Sequence, residues 1–82
     1  MAEITLNNTE LTILEILSQQ RDSHRLNIMA QMIEMAKITG QPFDKALFEK
    51  SLLSIEKTGY IKSLEADPDT FVLTSKGKEL LG

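Results

Sequence analysis

The fold turns on Gly59-Tyr60-Ile61-Lys62-Ser63-Leu64-Glu65-Ala66-Asp67-Pro68-Asp69-Thr70-Phe71-Val72-Leu73-Thr74. Its two ends, 60–64 and 70–74, are rich in β-branched and aromatic side chains, the composition of short strands. Between them Glu65-Ala66-Asp67-Pro68-Asp69 favours a turn, because Pro presets φ and Asp accepts hydrogen bonds from its own backbone. The stretch therefore predicts a β-hairpin over about 60–74. Gly59 in front of it marks the stop of a preceding helix. Ser75 to Leu81 behind it has room for one or two helical turns, with Ser75 expected as the cap, Lys78 and Glu79 outward and Gly82 as the end.

Upstream of Gly59 the apolar spacing changes from alternation to helical. Phe48, Leu52 and Ile55 recur at i, i+4 and i+7, which predicts a third helix over about 44–58, capped by Asp44 and stapled by Phe43 against Phe48. Before it, Gly40 and Pro42 stop a second helix of about 24–39, whose apolar pattern opens at Leu26 after a cap at Asp22 or Ser23. Arg21 to Arg25 reads as a polar loop. The first helix is expected at about 8–20: Asn7 and Glu10 are spaced as a capping box, Leu6 can staple onto Leu11, and Leu11, Ile13, Leu14, Ile16 and Leu17 form its inner stripe. The chain thus reads as one domain over 1–82, mainly α with a β-hairpin (α+β).

Eighty-two residues supply one hydrophobic core, and 41% apolar with 26% charged is near the globular average, so the chain is expected to fold by itself. The lack of cysteine excludes disulfide staples, thiolate zinc sites and cysteine nucleophiles, and fits a reducing, cytoplasmic setting. No apolar run approaches the ~20 residues of a membrane span. Met1-Ala2-Glu3-Ile4-Thr5 lacks the basic and apolar regions of a secretion signal. Net charge is −3, which argues against a surface that binds phosphate all round. The charge is uneven, however: residues 1–20 hold three acids and no base, residues 21–63 hold seven bases and five acids, and residues 64–82 hold four acids and two lysines. Any nucleic-acid face must lie in the middle segment. His24 is the sole histidine and has no second His or Cys at ligand spacing, so no metal is expected. No phosphate-binding glycine loop or nucleophile motif occurs, so neither a cofactor nor enzyme activity is expected.

Ile55-Glu56-Lys57-Thr58-Gly59-Tyr60-Ile61 resembles the L-E-x-x-G-[LY]-I exit from the recognition helix of winged helix-turn-helix regulators of the MarR and PadR type. Phe71-Val72-Leu73-Thr74-Ser75-Lys76-Gly77-Lys78-Glu79-Leu80-Leu81 resembles their Y-x-L-T-x-x-G-x-x-L-L ending. The two motifs cover residues 48–81, while the first helix matches only by its Leu and Ile pattern. The resemblance implies a winged helix-turn-helix: a three-helix core, the hairpin as wing, and a short C-terminal helix. It also implies a DNA-binding transcriptional regulator that sets its third helix in the major groove of double-stranded DNA and works as a homodimer.

On that helix Leu47, Lys50, Ser51 and Ser54 are read as the outward face, with Lys45, Lys57 and the wing's Lys62 placed for phosphate. Leu47 could meet a thymine methyl, or pack on the second helix or a partner chain. Arg21 and Arg25 could reach phosphate from their loop. Met29, Met32 and Met35 form a stripe on the second helix that either fills the core or supplies an interface. Against DNA stands the hairpin tip, whose Glu65, Asp67 and Asp69 would repel phosphate. The alternative is a winged-helix protein-interaction module with an idle recognition face.

Overall fold

The computed structural model describes residues 6–82. Met1–Thr5, read above for the lack of a secretion signal, lie outside them. The elements run α1 (Asn8–Ser18), β1 (Ser23–His24), α2 (Arg25–Thr39), α3 (Lys45–Lys57), β2 (Ile61–Ser63), β3 (Thr70–Leu73) and α4 (Ser75–Leu81). The three strands form one antiparallel sheet in the order β1-β3-β2. No helix among the described residues is long and apolar enough to cross a membrane.

The core gathers around α1. Ile13, Leu14, Ile16 and Leu17 meet Phe48, Leu52 and Ile55 of α3, Ile28 of α2, and Tyr60, Ile61 and Phe71 from the sheet side. Helix α1 starts where a capping box satisfies two otherwise unpaired donors: the Glu10 N–H donates to the Asn7 side chain at 2.7 Å, and the Asn7 N–H donates to Glu10 at 2.9 Å. Leu6 packs against the core, but Leu11 stays exposed and belongs to no inner stripe. The helix stops two residues earlier than its sequence pattern, with Gln19 as its C-cap. Helix α3 begins at Asp44, whose carboxylate accepts from the Leu47 N–H, and the Phe43 and Phe48 rings meet at 5.9 Å as the staple requires.

Strand β1 lies inside the segment read as a loop. Ser23 and His24 pair with Phe71 and Thr70, so this two-residue strand exists only because β3 is there to receive it. The cap of α2 is neither Asp22 nor Ser23 but His24, whose Nδ1 accepts from the Leu26 N–H at 3.1 Å.

The cap of α4 also shifts by one residue, to Thr74, and the reason is a junction. The Thr74 N–H donates to the Tyr60 carbonyl at 3.0 Å, its hydroxyl lies 2.6 Å from the Gly59 carbonyl, and it accepts from the Gly77 N–H at 3.2 Å. Lys76 donates to the Thr58 carbonyl and sits 5.0 Å over the Tyr60 ring. Gly59 turns the chain here at φ 88°, a region costly for residues with a Cβ. At Gly77 a Cβ would run into the Tyr60 carbonyl oxygen and come within 2.7 Å of Leu73. The two sequence motifs are therefore the two halves of one joint.

Candidate nucleic-acid interface

Helix α3 buries Phe48, Ser51, Leu52 and Ile55 and turns Ala46, Leu47, Lys50, Leu53, Ser54 and Lys57 to the outside. Lys50 and Lys57 stand in one row, because seven residues make almost two full helical turns, about 10.5 Å along the axis. Lys45 is exposed near the helix start and Lys62 on β2. Ser51 does not belong with them. It is 2% exposed, and its Oγ accepts from the Asn7 side-chain amide at 3.5 Å, so it faces α1 rather than a ligand. At about 100° per residue Ser51 sits closer to Ile55 than to Lys50, the helical-wheel reading that places it inside. Leu53 joins the outward face instead: the same wheel sets it about 60° from Lys50, and it is 51% exposed.

The N-terminus of α3 gives phosphate little help, since the Asp44 carboxylate already takes the Leu47 N–H and brings a negative charge to that end. Arg25 is also engaged: its guanidinium pairs with Glu49 at 2.7 Å, the one ion pair among the described residues, and the Arg25 backbone N–H donates to the Asp69 backbone carbonyl. Arg21 remains exposed. The hairpin tip is a built turn. Asp67 accepts from the Asp69 N–H at 3.1 Å and from the Thr70 hydroxyl at 2.8 Å. The Thr70 hydroxyl and then the Asp69 amide hold its carboxyl below its usual value, against a small opposing effect of burial. One acid of the tip thus has a structural role, while Glu65 and Asp69 stay exposed.

The structure brings His24, Asp67 and Asp69 together, with their ligand-type atoms within 4.8 Å of one another. Sequence spacing could not have shown this, because β1 pairing joins residues far apart in the chain. A neutral imidazole has one free lone pair, and here it receives the Leu26 N–H. A cation could take that ring only by displacing the cap of α2.

Met29 and Met32 are half-buried against the core and help to fill it. Met35, 44% exposed, is the member of the stripe that reaches the surface, with Ile38 beyond it at 81%. Between α1, the end of α2 and the start of α3 lies a groove of about 330 Å³, lined in part by Met32, Met35, Phe43, Leu47 and Phe48.

Two solved structures share this arrangement. One is a chain from the Dcn1(P)–Cdc53(WHB) complex of Rub1 ligation, with a TM-score of 0.72, 12% identity, and 82% of this chain covered against 76% of that one. The other is RosR of H. salinarum, with a TM-score of 0.72, 20% identity, and 93% of this chain covered against 67% of that one. The fold is a winged helix. No protein-family model and no curated protein sequence matches the chain. In this winged helix β2 and β3 form the wing, α3 is the third helix of the core, and the fold accommodates either a DNA-binding or a protein-interaction module.

Proposed function

We propose that the chain is a DNA-binding winged helix of the small MarR/PadR regulator type, controlling transcription by setting α3 in the major groove. The observation that carries this reading is the row of Lys50 and Lys57 on the outer side of a helix whose inner side is core. Lys50 lies where it can donate to guanine O6 and N7, Ser54 beside it can meet base or phosphate, and Lys45, Lys57 and Lys62 serve the flanking backbone. Two copies joined through the exposed end of α2, at Met35 and Ile38, would present two such helices to successive half-sites.

The test is fluorescence anisotropy of a mixed-sequence duplex at about 50 and 200 mM salt. The parent is expected to lose affinity steeply over that interval. The Lys50→Ala/Lys57→Ala protein should bind more weakly, with a salt slope shallower by about one for each phosphate its lysines no longer reach. A second reading, a protein-interaction module, draws support from the acidic wing tip and from Leu47 and Leu53 exposed on the same face as the lysines. It predicts no duplex binding at low salt.

A further inference from the structure

The outer face of α3 is more apolar than its lysines suggest. Leu47 and Leu53 are 41% and 51% exposed, and they flank Lys50 at about 60° to either side. They stand six positions apart, about 9 Å along the helix axis, which is the rise of two to three base pairs. A helix about 10–12 Å across leaves little slack in a major groove about 12 Å wide, so side chains this close to the central row meet base edges rather than water. Most features on those edges are hydrogen-bonding groups, against which a leucine gains nothing. The C5-methyl of thymine is the apolar exception.

We infer that α3 reads thymine methyl groups through Leu47 and Leu53, on either side of a guanine met by Lys50. The inference rests on the DNA-binding reading above and adds the base preference. Ser51, buried against α1, contributes nothing to it. Burial of a single methyl group is worth about 0.8 kcal/mol, so each thymine should raise affinity about fourfold over the same base without its methyl.

The experiment is selection from a randomised duplex library with the parent, Leu47→Ala and Leu53→Ala proteins, followed by replacement of individual thymines by deoxyuridine in the enriched site. Both leucines are exposed, and thermal melting checks that the variants fold. The parent should enrich a guanine flanked by thymines, the two thymines lying two to three base pairs apart. Each deoxyuridine should weaken binding about fourfold, with Leu47→Ala insensitive to one replacement and Leu53→Ala to the other. A selected site indifferent to deoxyuridine, or salt-dependent binding without any base preference, would overturn the inference and leave DNA binding standing. Absence of duplex binding at either salt concentration would overturn both, and would assign the leucine face to a protein partner.

Discussion

Gly77 has no room for a side chain, because the Tyr60 carbonyl oxygen and Leu73 already occupy the place of a Cβ. Backbone cannot yield as a flexible side chain does, so Gly77→Ala must push α4 away from the start of β2. Overpacking of this kind costs about 1–3 kcal/mol. A thermal melt followed by circular dichroism should show Gly77→Ala unfolding roughly 4–8 °C lower for each kcal/mol of destabilisation. An unchanged midpoint would mean that α4 is not seated as described. Single residues also explain where the sequence misleads about the site. A serine on a helix suggests solvent, whereas its wheel position near Ile55 and the Asn7 amide across from it reveal the inward position of Ser51. Leu53 is the converse, since its apolar character suggests core while its wheel position points outward.

At the scale of elements, the features legible in the sequence are those that neighbours along the chain decide. The capping box at Asn7, the cap at Asp44, the Phe43–Phe48 staple and the turns at Gly40 and Gly59 all lie within a few residues of their partners. Strand β1 is illegible there because two residues carry no periodicity and the strand is defined by Thr70 and Phe71. The cap of α2 follows from the same pairing, since β3 holds His24 extended, where its ring reaches the Leu26 N–H. Removing that acceptor should be costly and replacing it should not. His24→Ala is expected to destabilise the fold by about 1 kcal/mol, while His24→Asn, a good capping residue, should keep most of that stability. Chemical denaturation of the two variants beside the parent checks this, and equal destabilisation would show that the ring contributes something other than the cap.

At the scale of the whole molecule, α2 stands out because Ile28 is its one fully buried residue while its far end carries Met35 and Ile38 into solvent. On the proposed dimer reading this exposed end would meet a second copy. Sedimentation equilibrium should show association of the parent, and Met35→Glu/Ile38→Glu should give monomers with an unchanged melting profile at low concentration. Association unaffected by the pair of glutamates would place the interface elsewhere. The division of charge belongs to this scale as well: the acids of the wing tip and the lysines of α3 sit on different elements, so on the proposed DNA-binding reading the tip would stay clear of the duplex.

The carbonyls of Thr58, Gly59 and Tyr60 accept donors from Lys76 and Thr74, which lie in the last nine residues. A truncation after Leu73 would therefore strip three consecutive backbone acceptors of their partners at the exit of α3, while leaving that helix and both wing strands whole in sequence. For anyone trimming or fusing this protein, residues 74–82 are the clasp that joins the exit of α3 to the start of the wing.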